Sequence, residues 1–182
     1  MTVRGRHRAA IMRPVGDSSS EEDGMSIFPA KILLATDGSG EAALAARTAA
    51  DLAQKTGSEL HVVYVSDIDP TALLYPEAAD PEGVEMPDPV LEEELERESE
   101  RRGGEVLDAE AERVRAAGGT VAETHLAVGE PAREVVHLAE DLGAGVIVMG
   151  SRGRGGIRRA LMGSVSDSVV RHAHCPVFVI RG

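Results

Sequence analysis

A glycine-rich segment that carries several arginines, residues 150–167, has the composition of an anion-binding loop. Its glycines leave room for a ligand to approach the bare backbone, and it leads into a helix that Ser164 opens. The first N–H groups of a helix have no partner inside it and lie at the positive end of the helix dipole. Residues 150–172 hold five arginines against one acidic residue, Asp167. The segment therefore predicts a phosphate site in a locally positive field.

A structural interpretation of the same residues stays open. Ser164 followed three residues later by Asp167 is also the pattern of a capping box, which satisfies N–H groups at the start of a helix. Capping and anion binding are compatible, because the serine side chain and the unpaired N–H groups are different groups. Two common phosphate motifs are excluded. A Walker loop needs a lysine that this segment lacks, and a dinucleotide fingerprint needs a glycine where Arg158 stands.

The elements that must position this segment alternate between short apolar strands and helices. Strands are predicted at residues 32–35, 60–65, 120–128, 146–149 and 176–180. Helices are predicted at residues 41–55, 91–117, 131–142 and 163–173. In the second helix, Gly103-Gly104 predicts a weak point. The alternation favours an α/β fold of flavodoxin-like type, an open five-stranded parallel sheet with helices on both faces. Ligands of such sheets bind beyond the strands' carboxyl ends, where strand order reverses, which directs attention to the loops after strands one and four.

Two stretches of the chain depart from this alternation. Residues 1–26 have neither a helical nor a strand period and predict a disordered N-terminal extension, followed by one domain over residues 27–182. Residues 66–90 contain five of the nine prolines and predict an irregular excursion between the second strand and the second helix.

Composition limits the classes of protein that this chain can be. The 182 residues carry a formal net charge of −12, which argues against binding to nucleic acid or to an anionic membrane. No apolar run approaches the ~18 residues that a membrane-spanning helix needs. Cys175 is the one cysteine, so an internal disulfide is impossible and a reducing, cytoplasmic location is predicted.

The spacing of the glycines in the anion-binding segment is specific. Two residues separate Gly150 from Gly153, nine separate Gly153 from Gly163, and Ser164 follows directly. Three further segments accompany this spacing in the expected order, at residues 35–39, 62–65 and 175–177. With these four features the chain resembles the ATP-binding branch of the universal stress protein family. The resemblance runs from about Lys31 to the carboxyl end, but it leaves the N-terminal extension and residues 67–105 without a close match.

The resemblance implies an adenine nucleotide alpha hydrolase-like form of this fold and an ATP site assembled from distant parts of the chain. By the adenosine it places Ala35, Thr36, Asp37, Val65, Met149 and Gly150. By the phosphates it places Arg152, Gly153, Gly163, Ser164, Val165 and Ser166. A Mg or Mn ion would be held mainly by phosphate oxygens, with Asp37 as the only carboxylate considered near it. No catalytic residue and no protein-held metal are predicted.

The function implied is a nucleotide-responsive stress or regulatory module with slow or no ATP hydrolysis, since no general base stands out. A homodimer through the last strand is also expected, while no downstream protein partner can be named. Two alternatives stay open: an ATPase or autophosphorylating enzyme that uses Ser164 or Ser166 as acceptor, and a nucleotide-free dimeric interaction protein. His172 and His174 predict helix-end packing beside Cys175 rather than a metal site, because residues i and i+2 face different sides of a helix.

Overall fold

The computed structural model describes residues 30–66, 89–153 and 162–182. The predicted N-terminal extension and its boundary with the domain lie outside the described residues. So does most of the proline-rich excursion. The part of the glycine-rich segment that contains Arg154, Gly155, Gly156, Arg158 and Arg159 is also outside them.

Five strands and four helices alternate along the described chain. The strands are β1 (Lys31–Thr36), β2 (Glu59–Ser66), β3 (Glu123–Val128), β4 (Val146–Gly150) and β5 (Val177–Ile180). The helices are α1 (Gly40–Thr56), α2 (Pro89–Ala116), α3 (Pro131–Leu142) and α4 (Ser164–His172). All strand pairs are parallel and the sheet order is β3-β2-β1-β4-β5. The predicted α/β class with an open parallel sheet is confirmed.

Each face of the sheet has its own apolar core. Alternate residues of β1 point to opposite sides, so Ile32 and Leu34 pack with α1 and α2. Leu33 and Ala35 pack on the other side with α3 and α4. Helix α1 presents six buried alanines to the sheet. Because alanine side chains are short, the α1 axis can lie close to β1 and β4.

Local signals in the sequence set the helix ends. The Ser39 side chain accepts a hydrogen bond from the Ala42 N–H at the start of α1, and Gly57 ends that helix in the left-handed conformation. Pro131 occupies the first turn of α3, where its missing N–H costs no helical hydrogen bond. The Glu130 carboxylate caps the same turn by accepting from two backbone N–H groups.

The central strands β1 and β4 are neighbours although they are distant in sequence. From β1 the chain moves outward through β2 and β3 on one side, and β4 and β5 extend the sheet on the other. Strand order therefore reverses between β1 and β4, and a crevice opens at their carboxyl ends, as predicted. Within the described residues, no helix is both long and apolar enough to cross a membrane.

The predicted weak point at Gly103-Gly104 is wrong, because α2 runs through both glycines without a break. Gly103 is buried against β3, and a Cβ atom there would lie 2.4 Å from Cδ1 of Leu126. The absence of a side chain at position 103 therefore allows α2 to pack closely against β3 at the edge of the sheet. Gly104 has no neighbouring atom within 4 Å of the corresponding position, so it has no such packing role.

This difference predicts unequal effects of the same substitution at adjacent sites. Gly104→Ala should stabilise the protein by about 0.5–1 kcal/mol, because alanine loses less backbone entropy in a helix. Gly103→Ala should lose most or all of that gain, because its methyl group fits only after the partly exposed Leu126 side chain has moved aside. Urea unfolding followed by circular dichroism measures both values. Equal changes at the two positions would contradict the packing role of Gly103.

Candidate functional site

A cavity of about 640 Å³ lies at the carboxyl ends of β1, β2 and β4. Its volume is within the ~300–1,000 Å³ that is typical of small-molecule sites. All twelve residues predicted for the site line it: Ala35, Thr36, Asp37, Val65, Met149, Gly150, Arg152, Gly153, Gly163, Ser164, Val165 and Ser166. The fold thus brings together every predicted residue, while their contacts with a ligand stay a prediction.

Ten further residues line the same cavity and were not predicted: Ala42, Val63, Tyr64, Ser66, Ser99, Arg102, Pro131, Val135, Ser151 and Met162. The position of Val63 could have been found from the alternation of β2, since it shares a sheet face with Val65. Ser99 and Arg102 come from α2, in a stretch that carried no site motif. The Ser99 hydroxyl lies 2.8 Å from that of Ser66, which fixes this part of α2 against the end of β2.

The start of α4 borders the cavity with backbone N–H groups. Gly163 is the residue that precedes the helix, and no side chain caps it. The predicted capping box of Ser164 and Asp167 is therefore wrong, since Ser164 is already the first helical residue. The N–H groups of residues 164–166 occupy the first helical turn, where no carbonyl of the same helix can accept their hydrogen bonds.

The carbonyl oxygen of Ser151 holds the loop and the helix start together. It accepts hydrogen bonds from the Gly163 N–H and from the Ser166 hydroxyl, each at 2.8 Å. Ser151 is in turn attached to the sheet, because its N–H donates to the Ile180 carbonyl at 2.7 Å. The Ser166 hydroxyl is consequently buried and engaged, whereas Ser164 is exposed. Of the two predicted phosphate acceptors, only Ser164 is accessible.

Glu41, in the first turn of α1, supplies a carboxylate that the sequence analysis missed. It accepts hydrogen bonds from the Ser151 hydroxyl at 2.6 Å and from the Arg152 N–H at 2.7 Å. Its other oxygen lies 2.6 Å from Nη2 of Arg152. The Ser151 hydroxyl, then the N–H and guanidinium of Arg152, hold the pKa of the Glu41 carboxyl below its ordinary value despite partial desolvation.

Two ion pairs make the loop less positive than its count of arginines predicts. Arg152 is neutralised by Glu41, and Arg171 lies 2.9 Å from the Asp167 carboxylate. Two of the five arginines therefore contribute little net positive field, and the other three lie outside the described residues. Arg102, which reaches the cavity from α2, adds a cation that the local count of charges did not include.

The end of β1 contributes groups that are already engaged by the protein. The Thr36 hydroxyl donates to the buried Glu110 carboxylate at 2.8 Å and accepts from the Gly38 N–H. Asp37 accepts from the Ser39 N–H with Oδ1, and a Cβ atom at position 153 would lie 2.4 Å from its Oδ2. Thr36 and Asp37 are thus oriented before any ligand arrives.

Two of the loop glycines have packing roles as well as a place in the cavity wall. A Cβ atom at Gly150 would lie 3.1 Å from the Glu41 backbone, so this glycine admits the start of α1. A Cβ atom at Gly153 would meet the Asp37 carboxylate. The motif spacing therefore reflects contacts between protein segments in addition to any space left for a ligand.

The His172, His174 and Cys175 group lies at the end of α4, away from the residues that line the cavity. Nδ1 of His172 is 2.8 Å from the Ser168 carbonyl oxygen, a contact with its own helix. Cys175 packs against the core on the α3 side of the sheet, and burial raises the pKa of its thiol. These contacts agree with a packing role.

Comparisons with known proteins match the part of the chain that forms the sheet and its helices. Residues 30–181 match the model of the universal stress protein family. A universal stress protein of Methanocaldococcus jannaschii is 34% identical over 151 residues, which cover 83% of this chain and 81% of the relative.

Solved structures share the fold. Universal stress protein UspA from Lactobacillus plantarum has a TM-score of 0.65 and 27% identity, with 83% of this chain and 97% of that chain covered. A universal stress protein from Archaeoglobus fulgidus in complex with dAMP has a TM-score of 0.52 and 26% identity, with coverages of 86% and 99%.

The ion pair of Glu41 gives a pH-dependent prediction. A carboxyl whose native pKa is lowered stabilises the fold above its unfolded pKa, and this contribution is lost as the pH falls through the native value. Glu41→Gln should therefore cost about 1 kcal/mol near neutral pH and progressively less as the pH falls below 4.5, the ordinary pKa of the group. Urea unfolding at neutral pH and at a series of acid pH values measures the change.

Glu112→Gln is the matched control, because Glu112 pairs with Arg115 on the exposed face of α2. Its removal should change stability by less than about 0.5 kcal/mol at each of these pH values. A cost of Glu41→Gln that does not depend on pH would show that its charge is not what holds the loop.

Proposed function

The chain belongs to the universal stress protein family, and from this premise we propose that it binds an adenine nucleotide, with ATP as the expected form, in the cavity at the carboxyl ends of β1, β2 and β4. The proposal places the chain in the ATP-binding branch that its glycine spacing resembles. The dAMP complex of the Archaeoglobus fulgidus relative supports an adenine nucleotide as the class of ligand.

The observation that carries the proposal is that apolar side chains and the start of a helix line the same cavity. Val65 and Met149 are among the apolar lining residues and are suited to contact a planar base. Residues 164–166, in the first turn of α4, also line the cavity, and there the positive end of the helix dipole favours a phosphate. A nucleotide has both kinds of surface in one molecule.

The donor set fits a divalent ion that arrives with the nucleotide. Among the described residues that line the cavity, Asp37 is the one carboxylate. Mg²⁺ in nucleotide sites commonly has one or two carboxylates and otherwise phosphate and water ligands. We therefore expect Mg or Mn to be held mainly by phosphate oxygens, with Asp37 able to support it directly or through water.

A regulatory module fits these residues better than an efficient ATPase. Asp37 is oriented by the Ser39 N–H, and no histidine is among the described residues that line the cavity. Hydrolysis is accordingly expected to be slow. Autophosphorylation remains the alternative that one observation favours, since the exposed hydroxyl of Ser164 lies where the phosphates would bind.

We also propose a homodimer through β5 and a reducing, cytoplasmic location. Strand β5 is at one end of the sheet order, and the Phe178 side chain is 44% exposed. An edge strand with exposed apolar side chains is suited to pairing with a second copy. The location follows from the single cysteine, which permits no internal disulfide.

Titration of the protein with ATP, ADP, AMP and cyclic AMP by calorimetry, with and without Mg²⁺, tests the nucleotide proposal. Affinity weaker than about 1 mM for all four would overturn it. ATP turnover above about one per minute would instead favour the enzyme alternative.

A substitution at the start of α4 tests where the phosphates lie. Ser164→Asp should weaken ATP binding about tenfold or more, because its carboxylate repels the phosphates, and should leave adenosine binding unchanged. The same charge should stabilise the free protein by about 0.3–1 kcal/mol through the helix dipole. Thr120→Asp, at an exposed site before β3, is the control with an identical change of net charge. Equal losses for ATP and adenosine would contradict this placement.

Removing one backbone N–H group from the outer edge of β5 tests the proposed dimer. The Pro176 carbonyl accepts from Ile147 of β4 and the Ile180 carbonyl from Ser151, which follows β4, so alternation directs the N–H of Val179 away from the sheet. Val179→Pro removes that donor and should convert a dimer into a monomer in native mass spectrometry, with ATP affinity unchanged. A wild-type monomer, or a variant that still dimerises, would contradict the proposed interface.

A further inference from the structure

Two histidines and one glutamate meet in the amino-terminal halves of β2 and β3. His61 lies near the start of β2, and Glu123 and His125 lie in the first half of β3. The parallel register pairs His61 with Glu123 and Val63 with His125. Because residues i and i+2 of a strand point to the same face, this register brings the three side chains together on one face of the sheet.

Their polar atoms have the spacing of metal ligands. Nδ1 of His61 is 3.1 Å from Nε2 of His125, and Oε2 of Glu123 is 3.9 Å and 3.8 Å from these two nitrogens. The centre of a triangle with these sides is about 2.1 Å from each corner, in agreement with the ~2.0–2.2 Å of zinc bonds to nitrogen and oxygen. We propose that His61, Glu123 and His125 bind one divalent transition-metal ion of the zinc type.

The second nitrogen of His61 provides an independent observation. The residue is 5% exposed, and its Nε2 is buried without a hydrogen-bond partner among the described residues. Oε2 of Glu59 lies 3.6 Å from that nitrogen. A histidine that binds a metal through one nitrogen usually donates its other N–H to a carboxylate or a carbonyl. Glu59 is exposed enough to move by the few tenths of an ångström that such a bond requires.

Metal binding needs a change of tautomer and a turn of the two rings, whose facing nitrogens now point at each other along the line between the ring centroids. Without metal, one of the two facing nitrogens donates a hydrogen bond to the other. If the proton of His61 moves from Nδ1 to Nε2, both facing nitrogens become available as ligands and the new N–H points toward Glu59. No proton has to leave the pair of rings.

The surroundings allow an ion to enter and restrict its type. The side chain of Glu123 is 63% exposed and that of His125 is 17% exposed, so an ion can reach them from solvent. The side chain of His61 is only 6% exposed and forms the buried part of the site. Two imidazoles and one carboxylate suit Zn²⁺ or Co²⁺ better than Mg²⁺, which prefers oxygen ligands. Three protein ligands leave a fourth position for water, and the bound ion would join the edge strand β3 to β2.

The test uses the full-length, untagged protein, stripped with a chelator, freed of that chelator and kept without nucleotide. Titration with Zn²⁺ against a chromophoric chelator should give one site per chain with a Kd below about 1 μM. Co²⁺ at the same site should produce the intense visible absorption of four-coordinate cobalt. Binding of Zn²⁺ weaker than about 10 μM would overturn the proposal.

Variants locate the site. His125→Asn and Glu123→Gln should each weaken Zn²⁺ binding by more than about tenfold, and Glu59→Gln by about tenfold through the second nitrogen of His61. Glu123→Gln alters an exposed side chain and should therefore fold. It tests whether the cluster binds Zn²⁺ even if His125→Asn does not fold. The double variant of His172→Asn with His174→Asn, which removes the other histidine pair, should bind as the wild type does.

Unchanged affinity in both ligand variants, or loss of the site in the His172 and His174 double variant, would overturn the assignment. Zn²⁺ should also raise the unfolding midpoint of the wild type but not that of Glu123→Gln. All these measurements are independent of nucleotide binding, so their failure leaves the proposed function untouched.

Discussion

The close approach of α1 to the ends of β1 and β4 is the constraint on which the cavity depends. Buried alanines bring the helix to the sheet, and Gly150 gives its first turn room, since a Cβ atom there would lie only 3.1 Å from the Glu41 backbone. Glu41 can then reach Ser151 and Arg152. Ser151 in turn holds the start of α4 through its carbonyl oxygen. A packing distance between a helix and two strands thereby determines where the backbone donors of another helix point.

The two ends of the sheet have different chemistry because parallel strands place all their carboxyl ends at one edge and all their amino ends at the other. At the carboxyl ends, loops and helix starts bring N–H groups and glycines around a cavity. At the amino ends of β2 and β3, the same parallel register places histidine and glutamate side chains opposite one another. The proposed nucleotide site and the proposed metal site share no residue, so each can be tested by itself.

Most of the fold follows from local patterns. Continuous apolar runs define strands buried on both faces, and Pro131 and Gly57 mark helix ends through their own backbone preferences. The capping box failed because Gly163 rather than Ser164 precedes the helix, and a hydrogen bond from the Gly163 N–H to the Ser151 carbonyl, twelve residues earlier, holds it there. The weak point in α2 failed because buried residues on both sides of the two glycines, Ser99 and Leu107, hold the helix against the sheet in spite of the glycines' low helix propensity.

The sequence by itself determined the α/β class and the order of the elements, because periodicity is a property of the chain alone, and the motifs that carry the family resemblance indicated twelve of the residues that line the cavity. The tertiary structure decided which polar groups interact. Glu41 neutralises Arg152 from 111 positions away, and the Thr36 hydroxyl donates a hydrogen bond to the Glu110 carboxylate. It also decided that His61, Glu123 and His125 share one face. Such contacts depend on strand order and register, which place residues side by side regardless of their separation along the chain.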